Sequence, residues 1–417
     1  MTPHRLGARA PVRLPVRPRP EPNELLSSWL FRLAQANTQK LHSLSRTLFG
    51  DRQIWNRDID RLAGPEVLAA LEGATGIRAT DLRVHTLPSF EGRVYDRHNA
   101  NGITAWILPL GIYHRTHRRH GLQYCPACLK ERPAFLTLWR LSLSVVCPLH
   151  GCDLHEACPA CGAPVIPFRV DAAAHLSKSL PTYSPHTCCF QCGFALDRAP
   201  VTAADPALVA WQRTVHEAII GSGMMTVRGV GAVPLLEYLS VARLWLTLLT
   251  FGRRAERLRE LVDVPVKLTT GARGRSLDHL DVQTRRVAVL AFVTLLEGWP
   301  ERMVDWSRAA RIRRSTLLQD MAEPPGWYLD ALRPLEYVNP RRALTFTLSD
   351  LAALEALAHA GDRRSLILLA YHEGESLRAI ARTYGGTTSG IRKTVTLFVA
   401  GSPRRIKAGT ERPDGDL

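Results

Sequence analysis

All nine cysteines of the 417-residue chain lie between positions 125 and 192. Cys125-Pro126-Ala127-Cys128 is followed, after eighteen residues, by Cys147-Pro148-Leu149-His150. Cys158-Pro159-Ala160-Cys161-Gly162 is followed by Cys189-Phe190-Gln191-Cys192-Gly193. Two-residue spacing lets both side chains of a knuckle reach one ion while backbone amides support the sulfurs. Three thiolates with an imidazole, and four thiolates, are closed tetrahedral sets of the kind that bind structural zinc. The spacing therefore predicts two structural zinc ions. One is held by Cys125, Cys128, Cys147 and His150, the other by Cys158, Cys161, Cys189 and Cys192. Gly162 and Gly193 suit the tight turn each knuckle needs. Cys189, rather than Cys188, gives the right spacing and is followed by that glycine. Cys152 and Cys188 are read as non-ligands, and His155 as a packing or surface residue.

The same residues exclude other chemistry. A redox dithiol belongs in a βαβ context that is not seen here, and catalytic zinc needs an open coordination position. A two-metal nuclease or transposase needs clustered carboxylates, but the acids are scattered. No glycine-rich loop ends in Lys-Ser/Thr, so the chain is not an ATPase. The expectation is a protein that is not an enzyme. It carries 54 basic and 38 acidic residues, a net charge of +16, and 48 of the basic residues are Arg. Arg presents a forked, permanently charged donor set suited to phosphate, so double-stranded DNA is the expected partner. Residues 1–120 hold half of the excess and residues 121–200 almost none. That makes the zinc region a scaffold and the N-terminal region the stronger phosphate contact. The apolar runs Leu239–Phe251 and Val287–Leu296 are too short to span a bilayer. The N-terminus shows no apolar signal region, and metal-bound thiols suit a reducing compartment. A cytoplasmic protein without membrane contact is expected.

The fold class that could position these groups is mainly α with small zinc-ribbon β elements. Residues 1–22 read as a basic lead in which Arg5, Arg9, Arg13, Arg17 and Arg19 are interspersed with Pro, either a solvated tail or an arm tracking DNA phosphates. Residues 23–120 read as an N-terminal helix-turn-helix domain. Asn23 can cap a first helix from Glu24, with Leu26, Trp29, Leu30 and Leu33 on one stripe. Leu41, Leu44 and Leu48 mark a second helix ended by Gly50. Gly64-Pro65 opens another, and Thr80 caps a further turn. Residues 121–200 are the central double zinc-finger region, 201–340 a helical domain, 341–400 a C-terminal helix-turn-helix-like unit, and 401–417 a tail. The tryptophans read as core.

Three groups are candidate DNA contacts. Arg115, Arg118 and Arg119 lie in a dense basic run before the cysteines. Arg308, Arg311 and Arg314 recur at helical spacing after Pro300 and would form a basic stripe. Gly374 to Gly385 resembles the first half of a helix-turn-helix, with Ser376 as cap and Ile380-Ala381 at the helix crossing. Thr387, Thr388 and Ser389 would then meet base edges, and Arg392 and Lys393 phosphates. Gly386 and Thr394 depart from the usual apolar pattern of that motif.

Several of these residues occur in a recognisable order. Pro20-Glu21-Pro22-Asn23-Glu24-Leu25-Leu26-Ser27-Ser28-Trp29-Leu30 and Arg32-Leu33-Ala34 come first, then Tyr124-Cys125-Pro126-Ala127-Cys128 and Trp139-Arg140. Cys147-Pro148-Leu149-His150, Leu154 and Cys158-Pro159-Ala160-Cys161-Gly162 follow. This arrangement resembles the TniQ family (TnsD/TniQ), target-selection proteins of bacterial transposons. The resemblance covers about residues 15–200. It implies a non-enzymatic adaptor that marks target DNA and recruits an AAA+ ATPase regulator and, indirectly, the transposase. Family members find the site by binding a fixed sequence, by riding on a CRISPR effector, or by directing insertion toward resolution sites beside a resolvase. A homodimer is compatible with the resemblance. Composition alone also admits a zinc-containing transcription regulator or, less well, a DNA-processing enzyme with its own zinc domain.

Overall fold

The apolar stripe at Leu26, Trp29, Leu30 and Leu33 closes into helix α1, Leu26–Ala36, with all four side chains buried. The computed structural model describes residues 13–113, 116–172, 185–251, 255–262, 276–319, 321–335, 348–373, 375 and 377–400. Helix α1 starts later than the sequence predicts. Asn23 takes φ 59 instead of capping, and the buried Glu24 ties down the helix start. Its carboxylate accepts from Ser28 Oγ at 2.8 Å, Arg32 Nη1 at 2.6 Å and the Glu21 amide at 2.9 Å. Helix α2, Leu41–Phe49, stops at Gly50, whose φ of 64 lies in the left-handed region that favours glycine. Helices α3 (Ile59–Leu62), α4 (Pro65–Thr75) and α5 (Ala79–Arg83) follow. Pro65 occupies the first turn of α4, where its missing N–H costs nothing. Thr80, expected as a cap, lies inside α5, whose N-cap is Arg78. Leu14, helices α1 to α5 and the distant Ile166 and Phe168 share one apolar cluster.

A larger cluster runs from Leu25 to Leu332. It takes in α6 (Pro126–Glu131), α7 (Pro206–Ile220), α8 (Leu235–Thr250), α9 (Ala255–Val262) and α10 (Val282–Glu297). Helices α11 (Glu301–Ala309), α12 (Arg314–Leu317) and α13 (Gly326–Ala331) complete it. The described residues contain three two-stranded antiparallel hairpins. These are β1 (Ile112–Tyr113) with β2 (Thr116–His117), β3 (Val146–Cys147) with β4 (Cys152–Asp153), and β5 (Met224–Val227) with β6 (Gly231–Pro234). The fold is thus mainly helical with few, short strands. Both clusters lie within one compact unit, Met1–Leu335.

Buried ion pairs tie the cysteine segment to its neighbours. Arg140, fully buried, donates to Asp58 at 2.6 and 3.2 Å, to Asp60 at 3.4 Å and to the Leu108 carbonyl at 2.9 Å. Asp60 in turn accepts from the amide and hydroxyl of Ser27, both at 2.8 Å, in the first turn of α1. On the other side, Arg285 of α10 is fully buried and donates to the Ser142 carbonyl, Gln123 Oε1 and Glu156 Oε2. Buried charges are stable only when paired and hydrogen-bonded, so each of these fixes the register of two segments.

The second unit, Glu336–Leu417, contains α14 (Leu348–His359), α15 (Arg363–His372), α16 (Leu377–Thr383) and α17 (Thr388–Ala400). Leu354, Ile367, Leu368, Ile380, Ile391 and Val395 are buried together. Between α16 and α17, Gly385 and Gly386 take φ of 75 and 103, and Arg363 donates to the carbonyls of Tyr384 and Gly385. Among the described residues no single helix is long and apolar enough to cross a membrane.

Candidate metal centres and nucleic-acid interface

Cys125 is the N-cap of α6, and its sulfur accepts from the Cys128 amide at 3.5 Å. That capping geometry folds the first knuckle. The second comes from the β3–β4 hairpin, which carries Cys147 on one strand and turns through His150. His150 Nδ1 lies 3.6, 3.2 and 3.5 Å from the sulfurs of Cys125, Cys128 and Cys147, and Cys128 Sγ lies 3.6 Å from Cys147 Sγ. In a tetrahedron with zinc–sulfur bonds of about 2.3 Å, neighbouring sulfurs are about 3.8 Å apart. The gaps therefore fit one ion at the centre of the four ligands, and they far exceed the roughly 2.05 Å of a disulfide. His150 Nε2 meets Glu131 Oε1 at 3.0 Å, an outer carboxylate that turns Nδ1 toward the sulfurs. Burial alone would depress His150, but Glu131 and the Cys147 sulfur outweigh it and raise its pKa to about 9. The crowded thiols divide in proton affinity. Hydrogen bonds from Cys125 and Cys128 hold Cys147 far below the ordinary thiol range, and the hydrogen bond with Cys125 drives Cys128 and Cys152 far above it. A divalent cation would displace the protons that the remaining thiols hold.

At the second centre Cys158 Sγ lies 3.6 Å from Cys192 Sγ, and Cys161 Sγ 3.6 Å from Cys189 Sγ. Gly162 and Gly193 take φ of 72 and 74, and their amides donate back to the Cys158 and Cys189 carbonyls at 2.8 and 2.9 Å. A side chain at either glycine would be strained. Cys158 and Cys189 are buried, whereas Cys161 and Cys192 are exposed, so this centre opens to solvent on one side. The ligand atoms of each group of four lie within 4.8 Å of one another, and each group could hold a metal ion. Cys188 is buried in a bridge to Ala195. Cys152, left over by the spacing argument, packs its sulfur 3.5 Å from Cys125 Sγ. The spacing gave no sign of that contact, nor of Glu131.

Residues 15–154 match the TniQ family model. The chain carries a TniQ domain. The match spans α1 to α6 and the first metal centre and stops short of the second. No curated protein matches the chain. The TniQ family is associated with transposition, DNA binding and target selection.

Within the TniQ domain, Arg118 and Arg119 are exposed beside the β1–β2 hairpin, while Arg115 lies outside the described residues. The basic run around them is not wholly a solvated face. His117 is buried against Phe168, and burial lowers its pKa to about 4. Beyond the TniQ domain, the expected stripe of Arg308, Arg311 and Arg314 is broken, which corrects the single-helix reading. Helix α11 ends at Ala309, Arg311 sits at φ 54, and Arg314 opens the separate α12. The cause is Ile312: it is buried, and its amide turns back to the Ser307 carbonyl at 2.7 Å. Arg308 is exposed and donates to the Pro334 carbonyl at 3.1 Å. In the second unit Thr387, just before α17, and Thr388, Ser389, Arg392 and Lys393 within it are exposed, whereas Ile391 and Val395 are buried. Ser376 lies outside the described residues.

Proposed function

We propose that this protein selects target sites in DNA transposition, binding target DNA directly or through a DNA-bound targeting complex and recruiting an AAA+ ATPase regulator and, through it, the transposase. The TniQ match over residues 15–154 carries this reading. The two groups of four Cys and His residues would hold zinc as structural ions, supplying folding energy and no chemistry. Helices α16 and α17 would act as a helix-turn-helix, with Thr387, Thr388 and Ser389 at base edges and Arg392 and Lys393 on phosphates. Arg115, Arg118 and Arg119 would add sequence-independent phosphate contacts, as would Arg308, Arg311 and Arg314 taken singly, and the basic lead 1–22. Such a protein works in the cytoplasm, as a monomer or homodimer.

The test is a nuclease footprint of the purified protein on candidate target DNA, with and without the ATPase. Protection of a defined segment that weakens steeply between 50 and 200 mM salt is expected, since DNA binding releases counterions. Protection independent of salt, or strand cleavage by the protein alone with a divalent metal, would overturn the proposal.

A further inference from the structure

A groove of about 690 Å³ crosses the outer face of α8. That lies within the usual range of ligand sites, about 300–1,000 Å³. Its floor is one helical stripe that includes Leu236, Glu237, Ser240, Arg243 and Leu244, and its walls are residues 94–96 with Trp106 and residues 321–325. Among the described residues, the one basic side chain of the lining is already engaged. Arg243 pairs with Asp278 at 2.6 and 3.2 Å and lies 5.2 Å over the Trp106 ring. Trp106 holds φ 69, a strained conformation for an aromatic residue of the sort that gathers at ligand sites. Three acids also line the groove: Asp96, Glu237 and Glu323. None has a basic partner among the described residues, although Glu237 accepts a hydrogen bond from Trp327 Nε1 at 3.1 Å.

On a chain of net charge +16, an acid-lined groove repels nucleic acid and attracts the opposite charge. We propose that it docks a basic, leucine-containing peptide segment of a partner protein. The partner's Arg or Lys side chains meet Asp96, Glu237 and Glu323, and its apolar side chains lie on Leu236 and Leu244. The groove's shape and charge carry this proposal independently of the DNA-targeting role.

The experiment measures fluorescence anisotropy of labelled ten-residue peptides with the full-length protein. One peptide alternates Arg with Leu and the other Glu with Leu. The protein's overall positive charge disfavours the first, so saturable binding of it reports a local acidic site. The variant Asp96→Asn/Glu237→Gln/Glu323→Gln removes the charge and leaves Glu237's acceptor in place. Ser240→Trp fills the floor from an exposed position. With folding and metal content unchanged, each should weaken Arg/Leu binding by about tenfold or more, and the Glu/Leu peptide should not bind. Absence of saturable binding, or equal binding to both variants, would overturn the proposal. Binding that emerges only after Lys267, Arg273 and Arg275 are changed to Gln would seat the chain's own segment in the groove. A dimer dissociated by Ser240→Trp would seat a second copy there. Either result would overturn the partner assignment.

Discussion

Replacing Arg140 by Met removes the guanidinium that pairs with Asp58 and Asp60 while roughly keeping the volume of the side chain. Arg140 and both carboxylates are buried, and the guanidinium makes four hydrogen bonds, three to the acids and one to the Leu108 carbonyl. Breaking a buried pair from one side costs about 3–5 kcal/mol, because an uncompensated charge is left in the interior. Orphaning the Leu108 carbonyl adds about 1 kcal/mol. The expected loss is about 4–6 kcal/mol, or at least about a thousandfold in the unfolding equilibrium, a large share of the 5–15 kcal/mol typical of a domain. Urea denaturation followed by tryptophan fluorescence, with zinc present throughout, measures it. The triple variant Arg140→Met/Asp58→Asn/Asp60→Asn should recover at least about half of the loss, since no buried charge then lacks a partner. A single-variant loss below about 1 kcal/mol, or a triple variant as unstable as the single, would refute the reasoning.

The same network gives a pH test. Burial and the neighbouring Asp58 raise Asp60 from 3.8 to about 6. A carboxyl that holds its proton more tightly when folded adds stability that is complete below about pH 4 and lost as pH rises through 6. Wild-type stability should therefore fall relative to Asp60→Asn across that window, and a flat difference would contradict the assignment. At the metal centres, Cys158→Ser with Cys161→Ser should lower zinc content from two ions to one per chain by elemental analysis. Loss of both ions, or of neither, would break the reading of two separate centres. Glu131→Gln should weaken metal binding at the first centre by about tenfold in competition with a chromophoric chelator, whereas unchanged affinity would show that Glu131 does not orient His150.

What depends on short-range geometry was legible in the chain. Two-residue cysteine spacing brings two sulfurs within reach of one ion in almost any tertiary setting, so both groups of four could be read from the chain. Heptad-like stripes and Gly50 and Pro65 likewise gave α1, α2 and α4, because helix burial and termination act over a few residues. Tertiary structure decided the rest. The start of α1 moved from Asn23 because Glu24 is held by Arg32 and Ser28. The run through Arg308, Arg311 and Arg314 looked like one helix, but Ile312 had to reach the core and turned the chain. Glu131 and Cys152 entered the first centre, and Arg140 and Arg285 their buried networks, through contacts between distant segments or across a hairpin. No local pattern encodes these contacts, because each carries one polar group whose partner is fixed only when separate elements pack.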